Sequence, residues 1–154
     1  MSTINTIKPV TINDAARLIA HTGQSVSWIV EGEPGMGKTS MQSVILDLLG
    51  NTHAPVYISA HEIDYGDLTL RMPDRETKTL EVYLSGLLAD AVATGKPLLI
   101  LIDEIWKTDK VMRKLFTRLL QEHILGDFKL PAGSIVWGTS NNASDGVGDT
   151  MLAH

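Results

Sequence analysis

Eight consecutive residues, Gly32-Glu33-Pro34-Gly35-Met36-Gly37-Lys38-Thr39, satisfy the pattern GxxxxGK[ST] and could hold a chain of phosphates. Three glycines let the backbone curl with successive N–H groups turned inward. The loop and the helix expected after it then form a positively polarised nest for phosphate oxygens. Lys38 adds a full charge where the β and γ phosphates of a nucleotide would lie, and Thr39 offers a hydroxyl that can coordinate Mg²⁺. The candidate nucleotide-binding residues here are Gly32, Glu33, Pro34, Gly35, Met36, Gly37, Lys38, Thr39 and Ser40. A glycine-rich turn with an incidental lysine is the plain alternative, and the apolar run before the loop and the helical pattern after it weigh against that.

Two further groups could complete such a site. The apolar run Leu98 to Ile102 leads directly into Asp103 and Glu104, which places both carboxylates at the C-terminal edge of a buried strand. Asp103 would hold magnesium through its water shell, and Glu104 would orient and polarise the water that attacks the γ phosphate. An acidic strand exit by itself is ordinary; beside the upstream loop it gains this meaning. Asn141, just beyond the apolar run Ser134 to Thr139, carries a neutral amide that can donate to the γ phosphate or its attacking water without competing for the metal. The stretch from Asn141 to Gly146 also reads as an Asn-rich turn.

The elements that must position these groups are legible from periodicity. Ser25 to Val30, Pro55 to Ala60, Leu98 to Ile102 and Ser134 to Thr139 are short, apolar and rich in β-branched or aromatic residues, as buried strands are. Between them the period changes to that of a helix. Met41, Val44, Ile45, Leu48 and Leu49 share one face before Gly50. Leu80, Tyr83, Leu84, Leu87, Leu88 and Ala91 suggest a second helix ending at Gly95, and Met112, Leu115, Phe116, Leu119 and Leu120 a third after Thr108 and Asp109. Ahead of them Ile12, Ala15, Ala16, Ile19 and Ala20 mark a shorter helix, with Thr11 and Asp14 placed as a capping box. Alternating strands and crossover helices imply an α/β fold, a mainly parallel sheet covered on both faces. No repeat or linker divides residues 1–154, so a single domain is expected.

Composition narrows the function classes. The chain has 154 residues, 13 Lys and Arg against 18 Asp and Glu, and a net charge of −5. That balance disfavours a nucleic-acid binder held by bulk positive charge and leaves a local basic groove open. The longest apolar run is far short of the roughly 20 residues of a membrane span, no secretory pattern opens the sequence, and a cytoplasmic location is expected. With no cysteine, disulfides and thiolate metal sites are excluded, and the five histidines show no metal-binding spacing. Trp28 and Trp137 read as core, Trp106 as packing beside the acidic pair, and Arg113 and Arg118 as a solvated helical face. The position three residues after Asp103, glycine in Ras-type GTPases, is Trp106, and the guanine-reading motif has no proper counterpart, so adenine is favoured over guanine. The residues that would contact adenine are sought in the segment from Ile7 to Gly23, which precedes the phosphate loop.

Taken together, GEPGMGKTS, LLILIDEIWK, KVMRKLFTRLLQEH and HILGDFKLPAG leading into IVWGTSNN make the chain resemble the AAA+ ATPases, and within them the MoxR-like group. The resemblance spans about Ser25 to Asn142. It implies a P-loop NTPase fold of three α/β/α layers, with Gly32 to Thr39 as Walker A, Asp103 and Glu104 as Walker B, and Asn141 as sensor 1. Glu104, Lys38 and Asn141 would be catalytic, Thr39 and Asp103 would hold the metal, and ATP or ADP with Mg²⁺ would be the ligands. The family further implies a homo-oligomeric ring, often hexameric, that remodels a protein client, with an aromatic channel loop matched by Tyr65 in Ile63 to Asp67. The family's arginine finger, fifth core strand, helical lid and sensor 2 have no counterpart before His154, so weak hydrolysis by the isolated chain is expected. Two other readings stand beside this one: a nucleotide-binding assembly or regulatory module with negligible hydrolysis of its own, and an ATP-driven DNA-transaction factor such as a helicase loader.

Overall fold

A computed structural model describes residues 10–33, 35, 37–38 and 40–141. The elements in chain order are α1 (Ile12–Thr22), β1 (Trp28–Gly32), α2 (Met41–Leu48), β2 (Ala54–Ser59), α3 (Tyr65–Leu68), β3 (Thr69–Asp74) and β4 (Thr79–Leu84). They continue with α4 (Gly86–Ala93), β5 (Leu98–Asp103), α5 (Lys110–Glu122), β6 (Ile124–Leu125), β7 (Phe128–Lys129) and β8 (Ile135–Asn141). The central sheet has the order β1-β8-β5-β2, and every neighbouring pair is parallel. The four strands expected from the sequence are therefore the four strands of this sheet. β1 begins later than Ser25 because the amides of Ser25 and Val26 still bond back to the Thr22 carbonyl as the chain turns off α1.

The unbroken apolar run of β5 reflects burial on both faces. Leu98, Ile100 and Ile102 join Val136 in a core beneath α4 and α5, whereas Leu99 and Leu101 join Ile135 and Trp137 beneath α1 and α2. All of these side chains are fully buried. Each contributes about 1.5–3 kcal/mol of transfer free energy, so the sheet is held from above and below. One polar side chain crosses into the second core. Gln42 Nε2 donates to the carbonyls of Leu99 (2.9 Å) and Val56 (3.2 Å), and Gln42 Oε1 accepts from Trp137 Nε1 at 2.8 Å. This amide stitches the start of α2 to three strands.

Two helices start at side-chain caps. Thr11 caps α1 by accepting from the Asp14 amide at 3.1 Å, and Asp109 caps α5 by accepting from the Met112 amide at 2.8 Å. The helix expected over Leu80 to Ala91 is corrected. Its first half is strand β4, antiparallel to β3, and only Gly86–Ala93 is helical. Leu80 and Tyr83 are 62% and 50% exposed, so the stripe they form does not face the core. Thr79–Leu84 is rich in β-forming residues, and Asp74 closes the turn by accepting from the amides of Glu76 and Thr77 and from the Thr77 hydroxyl. No helix among the described residues is long and apolar enough to cross a membrane.

Candidate functional site

Parallel pairing brings the C-terminal ends of three strands side by side. Gly32, the last residue of β1, is in register with Asn141, the last residue of β8, and β8 lies against β5, which ends at Asp103. Ligands in open α/β sheets collect at this edge. Here an open cleft of about 440 Å³ is lined by Gly35, Gly37, Lys38, Ser40, Asp103, Glu104 and Asn141. Gly35 and Gly37 have φ of 84° and 80°, a conformation that side-chain-bearing residues rarely adopt, so the bend of this loop depends on glycine. A Cβ on Gly37 would stand 3.6 Å from Ile12 Cδ1, which sets the start of α1 beside the loop.

Lys38 points inward. Its Nζ donates to the Gly32 carbonyl at 2.7 Å, the Ser140 carbonyl at 3.0 Å and Asn141 Oδ1 at 2.8 Å. Burial lowers the Lys38 pKa, and the nearby Asp103 and Glu104 carboxylates work in the opposite sense. Asn141 completes the link, because its Nδ2 donates to Glu104 Oε1 at 2.9 Å. One amide therefore joins the ammonium to the carboxylate.

The acidic pair is fixed from several sides. Asp103 Oδ2 accepts from the Tyr57 hydroxyl at 2.8 Å, and Asp103 Oδ1 accepts from the Thr139 hydroxyl. Burial and then the bond to Asp103 push the Tyr57 phenol up to about 12. Thr139 works both ways, since its Oγ1 also accepts the Glu104 amide at 3.0 Å while its carbonyl accepts from the Ile105 amide at 3.0 Å. These contacts hold Glu104 at φ 53°, in the left-handed region, which costs a residue with a side chain about 1–2 kcal/mol. Strain of this kind concentrates where a side chain must be aimed. Glu104 Oε1 also receives Lys107 Nζ at 3.0 Å, and Glu104 Oε2 lies 3.2 Å from His61 Nδ1. The Lys107 bond, followed by Asn141 and His61, holds the Glu104 carboxyl below its usual range against the opposing effect of burial.

Of the residues singled out in the sequence, Gly35, Gly37, Lys38, Ser40, Asp103, Glu104 and Asn141 converge on one cleft, and Gly32 joins them through its carbonyl. The Ser40 hydroxyl is turned back onto the Gly37 carbonyl at 2.7 Å. Glu33 is exposed and does not line the cleft. Pro34, Met36, Thr39 and residues 7–9 lie outside the described residues. Arg113 departs from a solvated face: it is half-buried, and its Nη2 donates to the Trp106 carbonyl at 2.9 Å. Trp106 packs against the core, while Tyr65 opens the short helix α3 rather than a plain loop.

Four further residues at the site are not apparent in the sequence: Tyr57, His61, Lys107 and Thr139. Lys107 is findable as the residue three positions after Glu104. Tyr57 and His61 become neighbours of the acidic pair only once β2 is known to flank β5. No cluster of three or more potential metal-ligating side chains occurs among the described residues. The donor set still fits Mg²⁺, which usually takes one or two carboxylates and keeps several waters. Asp103 is such a carboxylate, aimed by two hydroxyl donors that leave each oxygen a further lone pair.

No protein-family model matches the chain. No curated protein matches it either. Among solved structures it is similar to a crystal structure from Cytophaga hutchinsonii described as a "putative ATPase", with a TM-score of 0.51 and 17% identity over 86% of this chain. The chain spans 39% of that structure's chain. At this level of identity the likeness concerns architecture. The chain has a P-loop NTPase-like α/β fold, with a mainly parallel central sheet between helical layers.

Proposed function

We propose that this chain binds ATP together with Mg²⁺ and hydrolyses it, with the cleft at the ends of β1, β8 and β5 as the active site. The observation that carries this reading is the Asn141 amide, which bonds Lys38 on one side and Glu104 on the other. A phosphate-binding cation, a carboxylate able to aim a water and a neutral donor are thus gathered within one cleft.

In this reading Lys38 and the loop amides bind the β and γ phosphates, with Gly32, Glu33, Pro34, Gly35, Met36, Gly37, Thr39 and Ser40 forming the loop. Asp103 and Thr39 would hold magnesium, which would offset the phosphate charge. Glu104 is ionised at neutral pH, since its pKa is lowered from an already acidic value, and it aligns a water with the γ phosphorus. Asn141 donates to the γ phosphate or to that water. Tyr57 and Thr139 keep the Asp103 carboxylate from turning away.

The finer proposal is a MoxR-like AAA+ module that self-associates into a ring and acts on a protein client. It rests on the series Asp103 to Ile105, Leu119 to His123, Leu130 to Gly133 and Thr139 to Asn141.

Calorimetry and phosphate release on two variants test the reading. Lys38→Ala removes one charged donor and is expected to weaken ATP binding about 10- to 150-fold. Glu104→Gln is expected to bind ATP as the parent does while turnover falls about 10²- to 10⁴-fold. Parent-like turnover in Glu104→Gln would remove Glu104 from its role, and unchanged ATP affinity in Lys38→Ala would remove the site altogether.

A further inference from the structure

A second groove shares no lining residue with the cleft at Lys38. It has a volume of about 390 Å³ and lies where α5 meets the Tyr65 turn, β3 and the β6–β7 hairpin. Val111, Lys114, Leu115 and Arg118 succeed one another at helical spacing and form a single stripe along α5. Tyr65 of α3 and Arg71 of β3 line the same groove.

We propose that this groove docks an acidic peptide segment of a partner protein, one in which an apolar residue stands beside carboxylates. The apolar part of the groove is open to solvent, since Val111 is 64% exposed. Together with Leu115 and Tyr65, which line the same groove, Val111 offers a seat for one apolar side chain. The charge is equally specific. Three cations, Arg71, Lys114 and Arg118, line this one groove in a chain whose net charge is −5. Lys114 has no acidic partner among the described residues. Arg118 is already oriented, with Nε on Glu122 at 2.9 Å and Nη1 on the Gly126 carbonyl at 2.9 Å. Arg71 is held by Asp127 at 2.8 Å.

These ion pairs favour a peptide over a nucleic acid. Asp127 and Glu122 stand beside two of the three cations and would repel a continuous row of phosphates, whereas spaced carboxylates can pair with Lys114 and with the free edge of Arg118. A single apolar seat also suits one side chain better than successive stacked bases. Below the groove, the point where a Cβ on Gly126 would stand is 3.6 Å from the Tyr65 hydroxyl and 3.8 Å from Thr69 Oγ1. Thr69 Oγ1 is buried and lacks a hydrogen-bond partner among the described residues.

The test uses fluorescence anisotropy with a labelled peptide, Glu-Leu-Glu-Glu-Leu-Glu, beside the same peptide with Lys in place of Glu and an oligo(dT) strand. The acidic peptide is expected to bind saturably and the other two weakly. Lys114 is exposed and free of internal partners among the described residues, so Lys114→Glu leaves the fold in place. It is expected to weaken the acidic peptide about tenfold or more and to improve the Lys peptide. Val111→Asp, checked for an unchanged circular dichroism spectrum, is expected to weaken binding by removing the apolar seat. No saturable binding of the acidic peptide, or equal binding to parent and Lys114→Glu, would overturn the proposal. Tighter binding of oligo(dT) would overturn it in favour of a nucleic-acid groove.

Discussion

Replacing Gln42 by Leu should unsettle the protein by a calculable amount. In the parent, the Gln42 amide satisfies Trp137 Nε1 at 2.8 Å, and the Trp137 side chain is fully buried. Leucine has similar bulk but no acceptor, so the indole N–H is left in the core without a partner, a loss of about 1–3 kcal/mol. The carbonyls of Val56 and Leu99 suffer less, because they belong to paired strands and lose only an additional donor. For a chain of this size the cost corresponds to a Tm lowered by roughly 2–12 °C. Urea unfolding followed by circular dichroism gives the free energy directly. The decisive measurement is a cycle with Trp137→Phe, which removes the donor itself. If the amide and indole are coupled, the double variant loses less than the two single losses combined, by about 1–2 kcal/mol. Additivity within about 0.3–0.5 kcal/mol would refute the coupling. Because α2 starts directly after the phosphate loop, the Gln42→Leu variant should also bind ATP more weakly than its stability loss alone explains.

Two further outcomes are expected. Tyr57→Phe removes the hydroxyl that steadies Asp103, so calorimetry should find ATP affinity lowered about threefold to tenfold with magnesium present and unchanged in EDTA. An equal loss under both conditions would assign Tyr57 a merely structural part. Burial pushes the His123 imidazole below its usual range, so the unfolded chain takes up a proton at a higher pH than the folded one. Stability is therefore complete above about pH 6.5 and declines as pH falls toward the folded value, with a slope of at most about 1.4 kcal/mol per pH unit from this group. His123→Asn keeps a residue suited to the local φ of 54° and should flatten that slope in urea titrations; an unchanged slope would exonerate His123.

What could be read from the sequence was whatever depends on local pattern. The run Leu98 to Ile102 marks a strand buried on both faces because nothing polar interrupts it, and the glycines around Lys38 mark a bend because only glycine adopts φ near 80° without strain. The Leu80 to Ala91 stretch misled because its apolar spacing fits a helix, while the hairpin there is secured by the Asp74 turn and by pairing with β3, neither visible from spacing. Tyr57, Thr139 and His61 escaped for a related reason. Each is commonplace in its own segment and acquires a role only when β8, β5 and β2 are placed side by side.

The Asn141 amide acts as an insulator between opposite charges. Its two ends differ, oxygen toward the ammonium and nitrogen toward the carboxylate, so it can sit in only one sense, and turning it over would set donor against donor and acceptor against acceptor. Without that wedge only the Gly32 and Ser140 carbonyls would restrain Lys38 from swinging onto Glu104. The two would cancel each other, and the cavity between them would short-circuit.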